Sequence, residues 1–434
     1  MSYTITEFGR LYKGRLPGGR QSGLKNRALS EKTFDELERF LLTKRPDAED
    51  FASQFFSLSI DSGERFITAR NYVGVITTHD KTSIEILPKI AGACDEKETK
   101  KIFLQMLKAL GNFPCKDFDF SNLDIEHLNL LEIFIQMFLC EVHTLVTQGL
   151  KSAYNSVETN EHFIKGKLLA SQNIRYNLFH NERFFVRYDE FSRDRPENRV
   201  IKTTLRLLLK LTTSRQNFRQ IVLLLGFFDE VAVSYPPDAD LGRCIKDRTM
   251  GYYERAILWC RVFLKKESFT PFAGSAVAFS LLFPMEKVFE SFVAHMLRKG
   301  LSREIHMQTQ ASGCYLFDEP RKFPLRPDIV LKNEGKTVVL DTKWKLINQN
   351  ADILSSDMYQ VYAYGKRYNA QSFYLVYPCS DEYSNQDITY TSGNGDNRLT
   401  VTASFINLRQ IVNQGIEGGP RNFIEKVQGL FTNR

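Results

Sequence analysis

The chain has 434 residues, 43% of them hydrophobic and 25% charged. That length and balance make two or three globular domains and exclude a disordered or fibrous chain. The formal charge of +7 suits an anionic partner such as nucleic acid, and equally an ordinary basic protein.

The first thirty residues are rich in glycine and basic side chains, as in Lys13-Gly-Arg-Leu-Pro-Gly-Gly-Arg20. There is no GxxxxGK[ST], so this is not a phosphate-binding P-loop. It reads as an exposed turn-rich segment, or as a basic loop that touches a nucleotide-bearing partner through Arg15 and Arg20. Ser30 predicts an N-cap for a helix with Phe34, Leu37, Phe40 and Leu41 at helical spacing. Strands are predicted over Gln54–Ile60, Arg65–Thr78 and Ser83–Leu87, separated by Asp61-Ser-Gly63 and His79-Asp-Lys81 turns. From Glu96 the pattern turns helical, over Lys100–Leu110, Leu128–Val146, Asn198–Leu211 and Tyr252–Phe263. A third pattern starts near Pro284. It has a helix Met285–Leu297, strands Asp328–Leu331 and Thr337–Trp344, a helix Ser356–Tyr368, and strands Ser372–Tyr377 and Leu399–Phe405.

The order gives a multidomain α+β chain. Residues 1–95 form a small N-terminal antiparallel β domain, 96–270 a helical middle region, and 271–434 an α/β domain with a flanked mixed sheet. Residues 1–270 are expected to be separable, since they hold their own β unit and apolar helices.

Cys94, Cys115, Cys140, Cys244, Cys260, Cys314 and Cys379 are dispersed, with no CxxC pair, and the seven histidines show no HExxH spacing. That fits free thiols and excludes a zinc framework. The N-terminus lacks the apolar core of a signal peptide. The run Leu128–Val146 is interrupted by Asn129, Glu132, Gln136 and Glu141, which reads as too polar for a bilayer. The expectation is a cytoplasmic protein with no membrane partner.

The chemistry is concentrated in Arg326-Pro-Asp328 and Val338-Val-Leu-Asp341-Thr-Lys343. A turn centred on Glu334-Gly335 would place Asp328 opposite Asp341, with Cβ atoms roughly 5 Å apart. Strand alternation puts Lys343 on the Asp341 face. Facing carboxylates destabilise a strand pair unless a cation joins them, and Mg²⁺ favours such oxygens. A lysine beside them can orient a water, help deprotonate it or offset charge at phosphorus.

Pro327-Asp328…Asp341-Thr-Lys343 resembles the PD-(D/E)xK nuclease superfamily. Gln360-Val-Tyr-Ala-Tyr364 resembles the QxxxY motif of several of its branches, and Glu290 resembles the acidic residue of its first helix. Asn71-Tyr-Val-Gly-Val-Ile76, Ile84-Glu-Ile-Leu-Pro-Lys-Ile90, Tyr188–Asp194 with Asn198–Lys202, and Phe289–Val293 resemble McrC, the nuclease subunit of McrBC-type modification-dependent restriction systems.

The resemblance implies a restriction-endonuclease-like C-terminal domain and a DNA endonuclease that hydrolyses phosphodiesters. It implies Asp328, Asp341 and Glu290 as Mg²⁺ ligands, and Asp328, Asp341, Lys343, Gln360 and Tyr364 as catalytic residues. It implies double-stranded DNA carrying modified cytosine as substrate, and a hexameric McrB-like AAA+ GTPase as the partner stimulated, with the partner contact in the earlier part of the chain. The absence of a Walker motif agrees with a separate motor. Two other readings stand beside it: a stand-alone repair or recombination nuclease, and a non-catalytic activator of an AAA+ partner. The segment Tyr188–Lys202 is taken as structural, a loop entering a capped helix.

Overall fold

The structure is a computed structural model. It describes residues 2–42, 54–61, 63–92, 95–111, 113–114, 128–244, 250–264, 279–347, 353–370, 372–379, 387–393, 399–411 and 421–432. Cys94, Cys115 and the start of the tail after Ser380 lie outside them. The chain forms two compact units: Met1–Leu130 together with Phe269–Arg434, and Leu131–Ser268.

In the first unit, strands β1 (Ser2–Thr6), β2 (Arg10–Lys13), β3 (Asn26–Leu29), β4 (Phe56–Asp61), β5 (Glu64–Ala69), β6 (Tyr72–Thr77) and β7 (Ser83–Leu87) build two sheets, accompanied by helices α1 (Glu31–Leu42) and α2 (Glu96–Leu107). One sheet has the order β3-β2-β5-β4. The other is β1-β7-β6-β11, where β11 is Phe279–Pro284 from beyond the second unit. Ile5, Leu11, Phe34, Leu37, Ile67, Ile84 and Leu282 belong to one shared core. Ser30 caps α1 as expected, its hydroxyl accepting from Thr33 N at 3.2 Å.

The antiparallel hairpins read from the sequence are present, and two parallel pairings extend them: β1 with β7 and β2 with β3. The single strand expected over Arg65–Thr78 breaks between Ala69 and Tyr72, because its halves enter different sheets. The stretch 1–270 does not hold this core by itself. β6 needs β11 as its neighbour, and Leu282 fills the core.

Gly74 explains part of the Tyr72–Ile76 motif. Its φ is +146°, and a Cβ there would lie 2.0 Å from the Leu281 carbonyl oxygen. The glycine lets β6 and β11 come together, where a side chain would wedge them apart.

The second unit is helical, with a sheet that the sequence pattern did not announce. It contains α3 (Leu130–Gln148, its first residue in the other unit), α4 (Ala170–Asn177), α5 (Pro196–Leu211), α6 (Arg215–Gly226), α7 (Pro237–Arg243) and α8 (Gly251–Leu264). Strands β8 (Ala153–Glu161), β9 (Lys167–Leu168) and β10 (Phe184–Ser192) form the sheet β8-β10-β9. Tyr188–Ser192 is therefore strand end, where a loop was expected. The turn after it is tied down: Asn198 Nδ2 donates to the Lys151 and Arg193 carbonyls, and Arg199 pairs with Asp194 at 2.5 Å. Helix α3 is long and apolar enough to cross a membrane by length and composition, contrary to the expectation from its polar residues, and most of it is buried in the protein.

Beyond β11 come α9 (Met285–Gly300), β12 (His306–Thr309), the hairpin β13 (Cys314–Phe317) with β14 (Lys322–Leu325), β15 (Ile329–Asn333), β16 (Lys336–Thr342), α10 (Ser355–Tyr368), β17 (Ser372–Cys379), β18 (Ile388–Ser392), β19 (Leu399–Asn407) and α11 (Arg421–Thr432). Their sheet has the order β12-β15-β16-β17-β19-β18, parallel from β16 through β17 to β19 and antiparallel at both ends. The fold is a multidomain α+β arrangement, as the element order predicts.

Gly74→Ala should cost at least about 2 kcal/mol, since neither backbone can retreat without breaking the ladder. Thermal melting checks it. An unchanged melting point would mean that β6 and β11 separate without penalty.

Candidate active site

The β15–β16 turn fixes the site. Glu334 and Gly335 have φ of +46° and +79°. Two positive φ values make the tight turn whose twist matches paired strands. Ile329 then pairs with Leu340 and Asn333 with Lys336, the register the sequence predicts. The next positions outward are Asp328 and Asp341.

Asp328 lies just outside the ladder. Its Oδ2 accepts from Thr342 N and from Thr342 Oγ1, each at 2.7 Å. The two aspartates thus avoid a direct confrontation: one carboxylate turns onto the backbone of the facing strand end. Asp341 is 3% exposed. Its Oδ2 meets the Lys343 ammonium at 2.6 Å and has no other partner among the described residues.

Lys343 continues the β16 path, its amide donating to the Val376 carbonyl at 2.9 Å. Its ammonium also donates to Gln360 Oε1 at 3.0 Å. An ammonium only donates, so it selects the carbonyl end of that amide. The other end, Gln360 Nε2, donates to the Tyr364 hydroxyl at 2.7 Å, which donates to the Arg326 carbonyl at 3.4 Å. Gln360 and Tyr364 are one turn apart on α10, which lies against β16 and β17. The relay therefore runs from Asp341 through Lys343, Gln360 and Tyr364 back to the residue before Pro327.

Glu290, half-buried on α9, joins from another side. Gln310 Nε2 donates to its Oε1, and Gln310 N donates to the Asp328 carbonyl at 2.8 Å. Neither Gln310 nor Thr342 was visible as a site residue in the sequence. A polar residue between strands and a threonine in a β-branched run carry no special signal. Lys345 and the buried Asp357 pair at 2.7 Å beside the relay.

The electrostatics follow from burial. Burial pushes the Asp341 carboxyl up to about 6, Asp328 adds to the rise, and Lys343 opposes it. Burial and then Asp328 raise Glu290 to about 7, against the Gln310 hydrogen bond. For Lys343, burial lowers the value, but Asp341 outweighs it and holds the ammonium above the ordinary lysine range. Lys343 is therefore a cation at neutral pH and cannot serve as a base in this state. Burial raises Tyr364 to about 12, so it keeps its proton.

Hard oxygen donors, one of them a nearly orphaned buried carboxylate oxygen, fit a hard divalent cation. Among the described residues no three His, Cys, Asp or Glu side chains are yet gathered as ligands. The Lys343 ammonium fills the cation's place against Asp341. Arg15 and Arg20 lie elsewhere in the first unit, after β2. Arg20 pairs with Asp61 at 2.7 Å and sits over the Tyr12 ring, while Arg15 is exposed.

Fold and site together define a multidomain α+β protein with an acidic and basic cluster at the end of a mixed sheet. Residues 67–378 match the family described as McrBC 5-methylcytosine restriction system component, and the chain belongs to that family. Its fold resembles a chain of the refined half-complex from the tetradecameric assembly of Thermococcus gammatolerans McrB AAA+ hexamers with bound McrC. The TM-score is 0.68 at 19% identity, over 98% of this chain and 100% of that one. A chain of the cryo-EM Thermococcus gammatolerans McrBC complex matches with a TM-score of 0.48 at 22% identity, over 70% and 89%. No curated protein matches.

A carboxyl raised by folding adds stability below its ordinary value and loses that stability as pH rises through the raised value. For Glu290 the window runs from 4.5 to about 7. In chelator, Glu290→Gln should melt like the parent near the lower limit and a few degrees higher above the upper one. A variant that melts lower at high pH would show that the charge is favourable there.

Proposed function

We propose that this chain is the Mg²⁺-dependent DNA endonuclease subunit of an McrBC-type modification-dependent restriction system, and that it also stimulates a partner AAA+ GTPase. The observation that carries the reading is the Asp341–Lys343 pair at the end of β16, with Asp328 at the facing strand end and Glu290 linked to it through Gln310.

Asp328, Asp341 and Glu290 would hold Mg²⁺, which supplies Lewis acidity and lowers the pKa of a bound water. The chain's own contribution is placement and charge. Gln360 holds the Lys343 side chain and is itself held by Tyr364. From there Lys343 would orient a water, help deprotonate it or offset negative charge at a scissile phosphate. The substrate is double-stranded DNA, with modified cytosine implied by the family.

The solved relative's McrB AAA+ hexamers with bound McrC support a hexameric AAA+ partner, and the family resemblance makes that partner a GTPase. Exposed aromatic side chains in the second unit, including Tyr154, Phe179, Phe191 and Tyr235, agree with a protein partner. Within the basic N-terminal loop, Arg15 is the freer candidate for reaching that partner, because Arg20 is already paired with Asp61.

Nicking of modified duplex in Mg²⁺, with and without the GTPase, tests the reading. Asp328→Ala and Asp341→Asn should abolish cutting and leave melting intact. Lys343→Ala should cut about 10²–10³ times more slowly while DNA binding is kept. Wild-type cutting by the aspartate variants would remove the site. Efficient cutting without the GTPase would favour a stand-alone nuclease, and stimulated GTP turnover with no cutting would favour a non-catalytic activator. Arg15→Ala should lower GTP turnover at saturating chain more than it lowers binding.

A further inference from the structure

Lys343 is followed by Trp344, and Trp344 is gripped by residues from the far end of the chain. Its indole Nε1 donates to both oxygens of Glu7, at 3.1 and 3.0 Å, across 337 positions of sequence. Lys89 Nζ donates to the Trp344 carbonyl, and Lys89 N donates to Glu7 Oε2 at 2.9 Å. The same ammonium lies 5.5 Å from the Trp344 ring centre and 5.7 Å from that of Phe8. Glu7 directly follows β1, and Lys89 lies two residues beyond β7, its parallel neighbour. One end of the N-terminal sheet thus presents both groups.

Glu7 and Trp344 are each 3% exposed. Burial pushes Glu7 up to about 7, with Glu286 of α9 adding to the rise, and it lowers Lys89, with Lys345 adding to the fall. A buried charged group is seldom a better glue than apolar packing of the same volume. What the pair supplies here is a fixed direction. Trp344 is the residue after Lys343, and its ring packs on Phe289, the residue before Glu290, at 5.5 Å between centres. It therefore touches the neighbours of two groups on different elements of the candidate centre. The backbone around it is a tight reversal, Lys345 N donating to the Lys343 carbonyl at 2.9 Å.

We propose that Glu7 and Lys89 are positioning residues for the nuclease centre: through Trp344 they fix the backbone that carries Lys343 and the helix that carries Glu290. The proposal rests on the nuclease reading and deepens it. The N-terminal sheet completes the cutting site, so the site is incomplete when residues 271–434 stand alone.

Three substitutions in the full chain separate the parts. Trp344→Phe keeps a ring against Phe289 and removes the N–H. Lys89→Met keeps an aliphatic stem and removes the charge. Glu7→Gln keeps an acceptor for the indole. With the GTPase present, the first two should slow single-turnover cutting of modified duplex about 10- to 100-fold, the cost of a displacement near 1 Å at a reacting centre. DNA affinity should be unchanged, and Glu7→Gln should cut nearly as the parent does. Parent-like rates in Trp344→Phe and Lys89→Met overturn the proposal. So does a deficit that disappears once the variants are fully folded at lower temperature.

Amide exchange over residues 340–347 reads the grip without any cutting. Faster exchange there in Lys89→Met supports the proposal, and unchanged exchange overturns it. Should the parent chain itself fail to cut, the nuclease reading falls, while the exchange result still decides the grip.

Discussion

The contact between Asp341 and Lys343 is the interaction around which the other groups of the candidate site are arranged. A carboxylate almost wholly removed from water costs several kcal/mol unless a counter-charge and donors accompany it. Here the counter-charge comes from two residues along the same strand path, on the same face. That ammonium must itself be satisfied, which brings in Gln360, then Tyr364, and with them the packing of α10 on β16 and β17. Tyr364 closes the circuit on the Arg326 carbonyl, two residues before Asp328. The turn at Glu334–Gly335 is what lets both ends of this circuit meet.

Buried carboxylates elsewhere in the chain show by contrast what is unusual about Asp341. Glu132 of α3 is equally inaccessible, yet its oxygens receive Thr212 Oγ1, Thr213 N and Oγ1, Ser214 N and Asn217 Nδ2. Every lone pair is met by a fixed dipole, and the group locks the start of α6 to α3. Asp194, only half-buried, is similarly taken up by Arg199 and the Ala232 amide. Such saturation is the mark of a structural acid. Asp341 keeps an oxygen that only the Lys343 ammonium covers, so another cation can take that position.

The part of this site legible in the sequence is the part held by local rules. A turn residue pair, β-branched strands and the two-residue alternation were enough to set the register and the shared face of Asp341 and Lys343. Helix spacing was enough to stack Gln360 on Tyr364. Long-range pairing was not legible. Ser2–Thr6 was taken into a glycine-rich start because nothing near it says which strand it joins, and Glu7 carries no sign of a partner 337 positions away. The β8–β10 sheet was missed for another reason. Ala153–Glu161 is mostly polar and has no fully buried position, so its pattern is faint. The aspartate pair itself departs from a simple ladder, since repulsion sends Asp328 onto Thr342.

The first unit is interrupted in sequence by the whole of the second, and this has a consequence for synthesis. Strand β6 finishes at Thr77, and the strand that covers it begins at Phe279. At a ribosomal pace of about 5–20 residues per second, β6 waits roughly 10–40 s for its neighbour. Throughout that time it is a bare hydrogen-bonding edge carrying Val73, Val75 and Ile76, the sort of edge that pairs with other nascent chains. The second unit has meanwhile emerged whole and is free to fold. This edge of a newly made chain should therefore need shelter, and it is a strand made only after the whole second unit that closes the first sheet started.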